Sequence, residues 1–131
     1  MKTLLSLFFL LLLMHYPEAK SQVKRDSVLE SKIMDLILSL PEVKQANAYV
    51  IKHSHGRRHL FDYIHARPDK KYGDYWVKVS EDNGATYATH FNFFVNGKTF
   101  AIKYMDTISS EEVPLEVIRK DKKRHKILEY H

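Results

Sequence analysis

Three histidines, His53, His55 and His59, fall close together and flank Arg57 and Arg58. Neutral imidazole is a common metal ligand, and zinc needs three or four such donors. The cluster is therefore a candidate metal or anion site. The adjacent guanidinium groups would repel a dication, and the nearest following carboxylate is Asp62, so a solvated turn accounts for the same residues. His90 is a second candidate, for general acid or base work. That role needs a nucleophile or a paired carboxylate, and none can be placed beside it from the sequence. The chain has no cysteine. It also lacks a Gly-x-Ser-x-Gly elbow, a phosphate loop and a His-Glu-x-x-His pair. An enzyme is not expected and no cofactor is implied. A small histidine-dependent hydrolase or metal-binding protein is the alternative.

The aromatic residues point to recognition rather than catalysis. Trp76 and Phe94 fall out of phase with the apolar positions around them, on the side of His90 and Asn92. Tyr72 and Tyr75 lie just before Trp76. Exposed rings with basic neighbours suit a peptide, a polysaccharide or a partner surface. Burial of both sheet faces, or cover from residues 111–131, would remove that surface.

The elements that position these groups are legible from periodicity. Leu29, Ile33, Leu36, Ile37 and Leu40 form one apolar stripe, which predicts a helix over 26–40 with Asp26 or Ser27 as N-cap. Pro41 ends or kinks it, and Val43, Ala46, Asn47 and Val50 predict a second helix to about Val50. The period then switches to two. Leu60, Asp62 and Ile64 share one face of a strand; Phe61, Tyr63 and His65 share the other. Tyr75, Val77 and Val79 alternate in a second strand. Tyr87, Thr89, Phe91, Phe93 and Val95 define the inward face of a third, and Phe100, Ile102 and Tyr104 that of a fourth. Asn83-Gly84 and Asn96-Gly97 are strong hairpin signals. Residues 111–119 suit a last short helix or strand. The expected fold is α+β: an N-terminal helix packed on a curled antiparallel meander of about four strands. Neither sheet edge shows an obvious protective proline.

The first residues set the compartment. Lys2, the apolar run Leu4–Met14 and the site Ala19-Lys20-Ser21 have the three-part form of a secretory signal peptide cut before Gln22. The run is too short to span a membrane, and His15, Pro17, Glu18 and Lys20 stop it from lengthening. The expected organisation is a signal peptide, 1–21, and one α+β domain, 22–131, with a short basic tail. Without a cysteine there is no lipidation site after the signal and no disulfide scaffold, so stability must come from burial. No membrane anchor is expected after cleavage, and the product is periplasmic or secreted. The net charge of +5 specifies no ligand by itself. The basic runs Lys52–His59 and Lys120–Lys126 could contact nucleic acid, but export argues against it.

Tyr75-Trp76-Val77-Lys78-Val79, the segment Phe91 to Phe100 and Ile102-Lys103-Tyr104-Met105-Asp106 resemble a PepSY-like or cystatin-like unit over roughly residues 28–106. Val95-Asn96-Gly97-Lys98-Thr99-Phe100-Ala101-Ile102 keeps the rhythm of that group's last turn but lacks glycine after Thr99. The likeness is closest to small exported proteins of the kind common in Bacteroidota. It implies an exported regulatory or inhibitory module, directed at a peptidase or a cell-envelope protein. The cystatin hairpin Gln-x-Val-x-Gly and its Pro-Trp turn are missing, so that inhibitory mechanism does not carry over. The expected function is a non-enzymatic binding or inhibitory module with a protein or peptide partner. An accessory subunit docking by its outer sheet face is a further alternative.

Overall fold

The structure is a computed structural model describing residues 16–107, 109–125 and 128. The apolar run Leu4–Met14 lies outside the described residues. The chain divides into two units, Met1–Ser31 and Lys32–His131.

Helix α1 spans Tyr16–Ser39. It begins well before the predicted start, and Asp26 and Ser27 are interior rather than N-capping. Glu18 to Arg25 is rich in good helix formers, and Pro17 falls in the first turn, where a missing N–H costs little. In the first unit Val28 is half exposed. In the second, Ile33 and Ile37 are fully buried, as the apolar stripe requires.

Helix α2, Pro41–His53, opens with Pro41 in its first turn behind an extended Leu40. It buries Val43, Ala46 and Val50. The helix closes on Ser54, followed by His55 and Gly56 in left-handed backbone, φ 53° and 76°. Glycine tolerates that region at no steric cost.

Five strands follow in a sequential antiparallel sheet, β1-β2-β3-β4-β5. They are β1 Leu60–Ala66, β2 Tyr75–Asp82, β3 Tyr87–Val95, β4 Ile102–Asp106 and β5 Glu111–Pro114. The fold is thus α+β with five strands rather than four. The extra strand is the start of the segment read as a last helix or strand. Short helices α3, Leu115–Lys120, and α4, Lys122–His125, come after it. Pro114 closes edge strand β5, so one edge does carry a proline.

The core face is made by Val77 and Val79 of β2, Phe91, Phe93 and Val95 of β3, and Tyr104 of β4, all nearly or fully buried. Burial of each phenylalanine contributes about 1.5–3 kcal/mol. Leu115 and Ile118 of α3 are buried as well.

Two turns differ from the two-residue hairpins that Asn-Gly suggests. At the first, Asn83 Oδ1 accepts the N–H groups of Ala85 and Thr86 at 3.0 and 2.9 Å, and Gly84 has φ 87°. At the second, Asn96 Oδ1 accepts from Lys98 and Thr99, and the Phe100 N–H donates to the Asn96 carbonyl at 2.8 Å. The left-handed position falls on Phe100, φ 57°, not on Gly97. Phe100 therefore lies in the loop, 38% exposed, and β4 starts at Ile102. The side-chain acceptor of Asn96 holds a wider turn than a bare two-residue reversal.

Two β-bulges matter most for the outer face. Between Val79 and Ser80 the partner on β3 jumps from Phe91 to Thr89, leaving His90 as the extra residue. Between Ile64 and Ala66 the partners on β2 are consecutive, leaving His65 extra on β1. A bulge re-aims side chains and shifts the alternation beyond it.

Candidate functional site: the outer sheet face and its cleft

Registry assigns the outer face. Trp76 pairs with Phe94, Lys78 with Asn92, and Phe61 and Thr89 both with Ser80. The bulge at His90 brings Tyr87 and Thr89 to this face as well, whereas strict alternation predicts them inward. Tyr87 is 60% exposed. His90 is also corrected: it does not look out beside Asn92. Its Nε2 lies 2.9 Å from Glu81 Oε2 and its side chain is largely buried. Glu81, itself buried, also pairs with Arg58 of the α2–β1 loop. His90 thus belongs to an Arg58–Glu81–His90 chain that ties the loop to the sheet.

The rings form a continuous track. Tyr87 meets Phe61 edge-on at 5.1 Å between centroids, and Phe61 stacks on Tyr63 at 6.1 Å. Tyr63 meets His65 at 6.3 Å, His65 meets Trp76 at 4.4 Å, and Trp76 meets Phe94 at 5.5 Å. These separations suit offset and edge-to-face aromatic contact. The His65 bulge puts an imidazole into the track between Tyr63 and Trp76. Trp76 is fixed twice, by Nε1 donating to Asn92 Oδ1 at 2.9 Å and by Lys78 Nζ 5.0 Å over its ring.

Phe94 faces outward but is only 5% exposed, so it underlies the track instead of presenting a contact. Tyr72 is 52% exposed and lies in the β1–β2 loop under Lys71 Nζ, 5.0 Å from its ring centre. Asp69 organises that loop, accepting the N–H groups of Lys71 and Tyr72 at 2.7 Å each. The Tyr72 and Lys71 N–H bonds hold its carboxyl below the usual range. Across the sheet, Lys103 bridges Asp74 at 2.7 Å and Glu112 at 3.1 Å, and its ammonium is held above the ordinary lysine range, chiefly by the Asp74 bond.

The structure does not bring the three clustered histidines together. Among the described residues no group of three or more His, Cys, Asp or Glu side chains could hold a metal ion. His53 ends α2, stacked 3.8 Å from Tyr49 with Nδ1 2.9 Å from the Tyr49 carbonyl. His55 sits in the left-handed turn and is exposed. His59 alone lines the cleft described next.

That cleft, about 750 Å³, opens between the α2–β1 loop and the β2–β3 turn. Arg57, Arg58, His59 and Phe61 line one side; Asp82, Asn83, Gly84 and Tyr87 line the other. Buried Ser54 builds the basic side. Its carbonyl accepts Arg57 Nε at 3.1 Å, and its Oγ accepts the Arg58 N–H at 2.9 Å. The cleft was hidden in the sequence because its walls are separated by a strand and because Tyr87 reads as inward.

No family model, curated protein or solved structure matches the chain.

Glu81→Gln is expected to loosen this end of the sheet, because Arg58 and His90 both rely on the carboxylate. The expected loss is about 1–2 kcal/mol, read as a lowered urea midpoint.

Proposed function

We propose that the protein is an exported, non-enzymatic binding module whose outer sheet face receives a protein or peptide partner. The observation that carries this reading is the aromatic track from Tyr87 to Trp76, continuous on the solvent side of the sheet and ending at a basic-aromatic cleft. Rings already held by neighbours lose little conformational freedom on binding, which favours them as anchors. Export is supported by Lys2, the run Leu4–Met14 and the small residues Ala19 and Ser21. No described helix is long and apolar enough to cross a membrane. Helix-then-meander order supports a PepSY-like or cystatin-like affiliation, and with it a regulatory or inhibitory role toward a peptidase or envelope protein.

Co-purification quantified by mass spectrometry tests the reading. Trp76→Ala and Tyr63→Ala should each reduce recovery of the partner by about tenfold or more, as expected for central aromatic anchors. Ile51→Ala, on the exposed side of α2, should leave recovery unchanged. Circular dichroism must show each variant folded. Equal recovery with all three variants would overturn the reading.

A further inference from the structure

We infer that the cleft beside Phe61 and Tyr87 accepts a single acidic side chain of an extended partner segment, with a neighbouring apolar or aromatic side chain over the two rings. The inference rests on the binding-module reading and adds the chemistry of the ligand.

Charge partners around the cleft single out Arg57. Arg58 is engaged by Glu81, and Glu81 is also held by His90. Asp82 Oδ1 accepts the Gly84 N–H at 2.9 Å within the turn. Among the described residues Arg57 has no ion-pair partner, and its one side-chain hydrogen bond uses Nε, donating to the Ser54 carbonyl. Its terminal N–H groups remain as a fork on the cleft wall. That fork matches a carboxylate in geometry and charge. His59, exposed on the same wall, can add a second donor. The anchoring bond to Ser54 fixes the stem, so little ordering remains to be done when a ligand arrives.

The other wall limits the ligand. Asp82 also lines the cleft, and the formal charges of Arg57 and Arg58 are balanced by those of Glu81 and Asp82. A densely charged polyanion, such as a sulfated glycan, would meet a carboxylate and find little net attraction. One carboxylate next to an apolar group avoids that conflict. Phe61 and Tyr87, edge-on at 5.1 Å, offer the apolar surface. A cleft of about 750 Å³ holds a few residues of extended chain, far more than an isolated anion requires. It also opens onto the aromatic track, so an extended segment can run from cleft to track without a break.

The probes are a capped hexapeptide of Ser and Gly with one central Glu flanked by Tyr, its counterpart with Gln in place of that Glu, and a sulfated hexasaccharide, each titrated into the protein by amide-shift NMR. The Glu-containing peptide should bind saturably, with shifts over residues 57–61 and 82–87. The Gln peptide should bind about tenfold more weakly or worse. Arg57→Gln should bring the Glu peptide down to the Gln peptide's level while leaving the latter unchanged. Tyr87→Ala should weaken both peptides. Equal binding of the two peptides, indifference to Arg57→Gln, or binding of the sulfated hexasaccharide alone would overturn the inference. If Trp76→Ala abolishes partner recovery while Arg57→Gln spares it, the acidic-ligand inference falls and the binding-module reading stands. If neither variant matters, both fall.

Discussion

Asp62→Asn is expected to raise the melting temperature at pH 8, leave it nearly unchanged near pH 4, and flatten the slope between. Asp62 lies on the core face of β1, paired in register with buried Val79. Among the described residues its Oδ2 is buried with no hydrogen-bond partner. Burial, opposed by its own backbone N–H and reinforced by Asp35 of α1, pushes the carboxyl up from 3.8 to about 7. The folded state therefore holds a proton that the unfolded state has released. Stability is fully present below the unfolded value and is lost as pH rises through the folded one, between about pH 4 and 7. For a half-buried, partly screened group, the cost at pH 8 is about 1–2 kcal/mol. Thermal melts of both proteins from pH 4 to 8 would check it. Parallel slopes would show that Asp62 does not titrate in this window. Asp35→Asn should reduce the slope without removing it, because Asp35 is the smallest of the causes.

Arg119→Ala is expected to lower stability by about 2 kcal/mol, near 10 °C in melting temperature for a domain of this size. Arg119 of α3 grips Glu42 of α2 with both nitrogens, Nε at 2.5 Å and Nη2 at 2.8 Å. The Glu42 bond holds its guanidinium above the ordinary arginine value. Glu42 is buried, so removing the cation takes the guanidinium's two bonds from a carboxylate that has little contact with water. Its place in the first turn of α2 softens the loss, since the helix N-terminus favours negative charge. The double variant Arg119→Ala with Glu42→Gln should recover part of the stability. A double-mutant cycle with no coupling would contradict the assignment.

The helices and the sheet were legible where period and burial agree. Ile33 and Ile37 had to face a core, and Val77, Val79, Phe91 and Phe93 gave the strands their inward sides. What failed to show in the sequence was the insertion of single residues. A bulge at His90 leaves no mark in composition, yet it turns Tyr87 outward and His90 toward Glu81. The loop position of Phe100 was hidden for a related reason: Asn96 closes a wider turn with its side chain, and the left-handed residue is not the glycine. Pairing between Arg119 and Glu42 joins residues far apart in sequence, so neither periodicity nor spacing reveals it. The candidate site was half visible. Trp76 and Asn92 were placed on the outer face, but Phe94 is covered. The cleft needed the α2–β1 loop and the β2–β3 turn brought together.

The binding face is tested most directly by site-specific photo-crosslinking in producing cells. A benzoylphenylalanine placed at Tyr63, within the aromatic track, should give one dominant crosslinked protein adduct. The same group at Ile51, on α2, should give none. The adduct should disappear when Trp76→Ala is added to the Tyr63 probe. Adducts of equal yield from both positions, or none from Tyr63, would contradict a partner-binding outer face.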